Sequence, residues 1–370
     1  MKMVCHRGTL AAAFQTVSGV VPTRTPKAIL QNIKLEAAKG QAVLIGTDQE
    51  VGIRFTIGEA DVQVPGEVLL PTSRTLSILR EMQGETVSIE TTDAGTWVRG
   101  DRAEYKLGSE NPAEFPSVAD FAGQPCHTIV AGTLRQMIRR TLFATDTEST
   151  RYALGGVLVE LKGDSITMAA TDTRRLAVVK GQCTAGEAPA VENPAPVVPS
   201  KAMQLIERSL SNEAEVVSLA IRQNDVLVKT STATIYSRLV EGRFPKYQDV
   251  IPASAPISVE LATGPFYATV RQAQIVTSEE SRGVDFQFKS GLLTLCSRAA
   301  DVGESKIELP IAYDGADLTI TFDPRYVADF LKVLEPEKPL RLELTDSESA
   351  AVFRTDDGYT YIVMPLSRDR

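Results

Sequence analysis

Three stretches of this sequence repeat one pattern, and the repeat constrains the fold more than any other feature. They are "IKLEAAKGQAVLIGTDQEVGIRF" from Ile33, "VLVELKGDSITMAATDTRRLAVV" from Val157 and "VDFQFKSGLLTLCSRAADVGESKIEL" from Val284, starting 124 and 127 residues apart. Each reads as an alternating strand, a short turn, a second apolar strand and a polar corner leading to a third. The turns, Lys39-Gly40, Gly163-Asp164 and Ser290-Gly291, suit two-residue hairpins, in which glycine accepts a positive φ.

A helix is expected upstream of each copy, in "GTLAAAFQTVSG" at Gly8, "GTLRQMIRRTLFAT" at Gly132 and "GPFYATVRQAQIVTS" at Gly264. Leu134, Met137, Ile138 and Leu142 fall at i, i+3, i+4 and i+8, one helical face. Thr9 and Thr133 read as N-caps, and Pro265 as a first helical position. A second helix is expected downstream of each copy, in "PTSRTLSILREM" at Pro71, "PSKAMQLIERSL" at Pro199 and "DPRYVADFLKVL" at Asp323, followed by further alternating strands. The order helix, strands, helix, strands therefore occurs three times. Repeats this long can each bury a core, so three α+β domains of one topology follow: 1–122, 128–252 and 257–370, with linkers near "FAGQPCHT" and "IPASAPIS".

Other features exclude more than they assert. At 43% hydrophobic and 23% charged residues, neither disorder nor a membrane protein is favoured. No apolar run approaches the roughly 20 residues that span a bilayer, and "MKMVCHRGTL" lacks a secretory apolar core, so the cytoplasm is expected. The four cysteines, Cys5, Cys126, Cys183 and Cys296, lie far apart and read as free thiols. Only His6 and His127 are present, neither spaced as part of a ligand pair; a metal, a cofactor or a histidine-based triad is not expected. The Thr-Asp pairs at 47–48, 171–172 and 345–346 could suggest carboxylate chemistry, but they recur at corners after strands, where Asp bonds to local backbone. With no phosphate loop, nucleophile elbow or zincin motif, the chain is not expected to be an enzyme.

Net charge is -8, which on its face argues against a nucleic-acid partner. The charge is unevenly spread, however. The helical segment 132–145 carries +3, and the segments 6–20, 73–82, 200–210, 264–278 and 324–334 carry +1 each, leaving -16 on everything else.

The stretches "NPAEFPSV", "RYALGGVLVE", "ATDTRRLAVV", "SRLVEGRFPKYQDVIP" and "YTYIVMPL", in this order, resemble the bacterial DNA polymerase III beta subunit family, the sliding clamps, over essentially the whole chain. The resemblance implies a head-to-tail homodimeric ring of six similar domains, with helices lining a pore and sheets outside. It implies a processivity factor that encircles double-stranded DNA without reading sequence. The charge distribution fits: a basic lining attracts DNA within a Debye length of about 8 to 10 Å, while an acidic exterior repels it. Backbone contact alone permits sliding.

For DNA contact, Arg24 and Tyr152 match family positions, and Arg74, Arg80, Arg139, Arg151 and Lys201 join them on charge and placement. Glu148 stands where the family has a glutamine that meets DNA, and Ala153 replaces a second tyrosine, so contact through that loop is expected to be weaker.

The resemblance also gives the adjacent arginines of "TDTRRLAV" a setting. The family holds a pocket there between its second and third domains, into which partners insert a short peptide. Here its wall comprises Leu154, Thr171, Thr173, Arg174, Arg175, Leu176, Pro245, Val250, Tyr326, Val363, Met364, Pro365 and Leu366. Leu176, Leu154, Val250 and Met364 suit aliphatic or aromatic anchors, and the Arg175 guanidinium is expected to meet peptide carbonyls or an acidic side chain. Arg174 replaces a common histidine. Ser281 and Glu348 replace apolar rim residues, and the chain runs on past "MPL" through Ser367, Arg368, Asp369 and Arg370, so peptide preference is expected to differ. Binding of roughly micromolar strength, near -8 kcal/mol, would let the replicative polymerase subunit, the clamp loader and repair polymerases exchange at one handle. Tyr105 and Leu107 in the first domain and Ile275 and Val276 in the third match dimer positions. A non-catalytic scaffold that binds only proteins, and a specialised paralogue, remain alternatives.

Overall fold

The computed structural model describes residues 1–38, 40–108, 110–146, 148, 153–186, 196–252, 255–278, 282–300 and 302–366. Among them are six α-helices: α1 (Arg7–Ser18), α2 (Thr72–Glu81), α3 (Ala131–Leu142), α4 (Ser200–Ser209), α5 (Thr263–Gln274) and α6 (Pro324–Lys332). They alternate with strands in the order expected from the repeat. None is long and apolar enough to cross a membrane.

The chain forms two compact units, residues 1–135 with 182–240, and 136–181 with 241–370. The middle repeat contributes to both, because sheets run on from one repeat to the next. In the first unit, an eight-stranded sheet joins His127–Val130, Val216–Ile221, Asp225–Lys229 and Ala233–Arg238 to Val51–Ile57, Gln41–Thr47, Asn32–Ala38 and Gly66–Pro71. The seam is antiparallel, with Ile235 opposite Ile53 and Ser237 opposite Val51. A second sheet of this unit orders Ala60–Val64, Lys2–His6, Thr86–Thr92, Gly95–Arg99 and Glu104–Leu107. Helix α1 buries Leu10, Ala13, Phe14 and Val17, one stripe at helical spacing, and lies beside α2. Glycine at 46 permits its close approach: a Cβ there would meet Val17 Cγ1 at 2.7 Å.

In the second unit, Gly156–Lys162, Ser165–Thr171 and Arg175–Gln182 continue into Thr360–Val363, Ala351–Arg354, Pro339–Leu344 and Ile257–Ala262. A four-stranded sheet, Gly303–Pro310, Leu292–Ala299, Val284–Lys289 and Leu318–Phe322, completes it, with α5 beside α6. An aromatic cluster fills its core: Phe330 stacks on Tyr361 at 4.8 Å between centroids and lies against Phe353 and Tyr359.

Gly40, Gly163 and Gly291 take the expected positive φ, at 75°, 56° and 73°, while Lys39 of the first turn lies outside the described residues. Two of the expected N-caps are not caps. The strand Lys2–His6 runs straight into α1, so its last residue takes that place, and the His6 ring accepts from Thr9 N at 3.3 Å. Thr133 likewise falls inside α3, and Pro265 is the third residue of α5 instead of the first. Asp323 does cap α6, accepting from Arg325 N at 3.0 Å ahead of Pro324.

Candidate functional site

Residues 171–175 form the corner between two strands of the second unit. Thr171 Oγ1 donates to the Arg175 carbonyl at 2.6 Å and accepts from Thr173 N at 3.1 Å. Asp172 Oδ1 accepts from the backbone of Arg174 and Arg175, both at 3.0 Å. The chain therefore reverses through local side-chain bonds, with Thr173 held at φ 75°. The first repeat makes the same corner: Thr47 Oγ1 donates to Val51 O, Asp48 accepts from Glu50 N and Val51 N, and Gln49 sits at φ 82°. Asp346 also binds local backbone, accepting from Glu348 and Ser349. All three Thr-Asp pairs are thus engaged in turns.

Arg175 points its guanidinium into its own unit. It donates to Asp172 Oδ2 at 2.8 Å, Asp329 Oδ2 at 2.7 Å and the Phe143 carbonyl at 2.7 Å, over the ring of Tyr326 at 4.5 Å. Burial works against its charge, but Tyr361, Asp329 and Asp172 hold its pKa above the ordinary range. In the single chain these bonds go to the protein's own groups. Strand pairing gives the reason. Arg175 stands opposite Val363 and Leu176 opposite Ile362, so Arg175 and Val363 share one face and Leu176 and Ile362 the other.

Beside this corner lies a pocket of about 480 Å³. It is lined by the expected Thr171, Thr173, Arg174, Arg175, Leu176, Pro245, Val250 and Met364, and by four residues not foreseen, Lys246, Tyr247, Ala350 and Ile362. Its size falls in the range of ligand sites. The short helix Tyr247–Val250 brings Val250, 57% exposed, to the mouth, while Tyr247 is anchored by donating to Glu160 Oε2 at 2.8 Å. Burial, then that carboxylate, push the Tyr247 phenol above its usual range. Met364 N donates to the Arg174 carbonyl at 2.8 Å, which fixes the C-terminal segment against the corner.

Five expected wall residues do not line this pocket. Leu154 and Val363 are core residues. Tyr326 lies under the Arg175 guanidinium, and its carbonyl accepts from Tyr361. Pro365 and Leu366 are half-buried, with Leu366 N donating to Thr321 O at 2.8 Å. Glu348 is exposed; Ser281 and 367–370 lie outside the described residues.

Of the residues assigned to DNA, Arg24, Arg74, Arg80, Arg139 and Lys201 are exposed, and Arg151 and Tyr152 lie outside the described residues. Lys201 already pairs with Asp48 at 2.5 Å, and Arg80 donates to Gln15. The helical excess of positive charge is not all available. Arg140, 4% exposed, bonds Asp357 Oδ2 at 2.7 Å and lies over Tyr359, while Arg135 pairs with Glu213. Arg208, Arg271 and Lys332 are exposed helix cations that the sequence reading did not single out. Ala153 is fully buried.

Each of the four sheets ends in two edge strands, among them Glu104–Leu107 in the first unit and Gly303–Pro310 in the second. Tyr105 is 37% exposed and Ile275 75%, whereas Leu107 is a core residue at 7% and Val276 is half-buried. Among the described residues no group of three or more His, Cys, Asp or Glu could hold a metal ion.

The N-terminal, central and C-terminal domains of the DNA polymerase III beta subunit match residues 1–119, 128–246 and 248–367. The chain belongs to the DNA polymerase III beta subunit family. The beta sliding clamp of Pseudomonas aeruginosa is 29% identical, over 99% of this chain and 100% of that one, and that of Escherichia coli is 28% identical over the same shares. A DNA polymerase sliding clamp structure from Bacillus subtilis superposes with a TM-score of 0.91 at 25% identity over 99% of both chains. A DnaN sliding clamp from Pseudomonas aeruginosa bound to griselimycin gives 0.90 at 28% identity, also over 99% of both. The beta subunit fold, three domains of mixed helices and sheets, thus covers the whole chain.

Proposed function

We propose that this chain is a DNA sliding clamp: two copies close head to tail into a ring around duplex DNA, and the pocket beside Arg174 tethers the replicative polymerase, the clamp loader and repair polymerases in turn. The observation that carries the reading is the end-to-end match to beta sliding clamps. The division into domains 1–122, 128–252 and 257–370 belongs to the same proposal. No catalytic step is assigned to the chain, which acts in the cytoplasm as an accessory subunit.

The open sheet edges support the ring. An unpaired edge invites association, and joining Glu104–Leu107 of one copy to Gly303–Pro310 of the other would cover both strands in each of two joints, closing after two chains. Tyr105 and Ile275 expose the apolar surface such a joint needs. Arg24, Arg74, Arg80, Arg139, Arg208 and Arg271 are exposed, and phosphates would meet positive charge there. Sedimentation equilibrium tests closure: a two-chain species at micromolar concentration is expected, and a single chain throughout would reject the ring.

A further inference from the structure

We propose that the chain holds a second copy of the docking cleft, closed in cis by Phe121 of the linker after the first repeat, and that Phe121 thereby confines partners to the pocket beside Arg174. The inference takes its class of occupant, a peptide with aliphatic or aromatic anchors, from the docking reading above. The corner at residues 47–51 repeats the bonds of the corner at 171–175, down to a third residue of positive φ. Beyond each corner the strand pairing also matches: Gly52 stands opposite Tyr236 as Leu176 stands opposite Ile362. Each corner is followed later in the chain by a similar linker, "EFPSVADF" at 114–121 and "RFPKYQDV" at 243–250, in which Phe115 and Phe244 are both buried.

The last residue of the two linker stretches behaves differently. Val250 is 57% exposed at the mouth of the open pocket, whereas Phe121 is 9% exposed and clusters with Ala220 and Leu227, with Tyr236 and Cys126 packed against them. Lys229 Nζ stands 5.9 Å from the centre of the Phe121 ring. Asp120 Oδ1 holds the linker down, accepting from Phe121 N at 2.7 Å and from Thr234 Oγ1 at 3.4 Å. Val118 fills the rest: a Cβ at Gly52 would meet its Cγ1 at 2.7 Å, so the place that the Leu176 side chain takes in the open pocket is already filled. An aromatic anchor laid on strand residues is what an inserted peptide would present, and here the chain supplies it itself. A tethered segment competes at high effective concentration, so a free peptide enters only when the tether loses its anchor.

The test is isothermal titration of the full chain with a ten-residue peptide carrying leucine and phenylalanine anchors, paired with maleimide labelling of Cys126, which packs beside Phe121. In F121D a charged side chain cannot stay on Ala220 and Leu227, so the linker lifts away. The native chain is expected to take one peptide with no change in the labelling of Cys126. F121D is expected to take a second, about tenfold more weakly because the rest of the linker still competes. That second peptide is expected to slow the labelling of Cys126 by at least about fivefold, since the thiol loses access to reagent. F121L, which refills the cleft, is expected to return the chain to one site. A folded F121D that takes one peptide and leaves Cys126 unprotected would overturn the proposal, and F121A decides it in the same way if F121D does not fold. Binding only to F121D, with Cys126 protected, would overturn the docking reading at Arg174 and leave the closed cleft standing. Binding to neither chain would overturn both.

Discussion

Arg175 Nη1 donates to Asp329 Oδ2 across 2.7 Å, tying the first residue of the strand Arg175–Gln182 to α6. With Asp172 and the Phe143 carbonyl on its other nitrogens, this guanidinium ties the corner to α6 beside the pocket that Arg175 helps to line. Replacing it with alanine leaves two carboxylates without their cation. R175A is expected to lower stability by about 3 kcal/mol in urea denaturation, and D329N by about 1 kcal/mol because Asp329 is better hydrated. Peptide affinity should fall in R175A as a consequence. A variant of unchanged stability that had lost the peptide would show that the guanidinium serves the ligand directly.

Thr173 occupies the left-handed region at φ 75°, where a β-branched side chain is strained. The bond from its N–H to Thr171 Oγ1 does not depend on its own side chain. T173G is therefore expected to raise the urea midpoint by the equivalent of about 1 kcal/mol, after the entropy glycine adds to the unfolded chain. Q49G, at the matching corner, is expected to gain less, since an unbranched residue tolerates that region better. A loss of stability in T173G would contradict this account.

Asp357 has a pH signature. Its partial burial disfavours the charge, but the Thr355 hydroxyl and Arg140 bond the carboxylate and bring its pKa below the ordinary 3.8. A carboxyl depressed on folding adds stability above its unfolded pKa and loses it as pH falls through the folded value. The stability difference between native chain and D357N should be constant from about pH 7 to pH 5 and shrink below about pH 4. A difference independent of pH would remove Asp357 as the source.

Burial pushes the Cys5 thiol up to about 11. Its thiolate is scarce at neutral pH and its sulfur is enclosed, so Cys5 should label with a maleimide at least roughly tenfold more slowly in the folded chain than in denaturant. Equal rates, read by mass spectrometry of the labelled peptide, would contradict its placement.

The dimer positions separate by burial. Ile275 is exposed in the single chain and Leu107 is not. I275D should dissociate a two-chain ring and leave the melting of each chain within a few degrees, whereas L107D should unfold the sheet that contains it. A dimer unaffected by I275D would move the interface elsewhere.

The periodic features were legible in the sequence. The stripe of Leu134, Met137 and Ile138 and the glycine turns at 40, 163 and 291 depend on neighbours a few residues away, and they form as read. What needed distant partners was not legible. Arg175 faces inward because Thr360–Val363 pairs with its strand in one register, and nothing local sets that register. The same pairing places Ile362 in the pocket wall and Val363 in the core. Arg140 looked like one more surface cation of α3, and only Asp357 and Tyr359, over 200 positions away, make it a buried one. His6 lost its cap role to Thr9 in the sequence because a threonine is the commoner signal.

Retention on circular DNA tests the central claim most directly. The chain is placed on a nicked circular plasmid, by its loader or by assembly at high concentration, and washed at 1 M salt before the circle is cut once. A topological hold predicts protein that survives the wash on the circle and leaves within minutes of linearisation. Equal loss from circular and linear DNA in the wash would contradict encirclement.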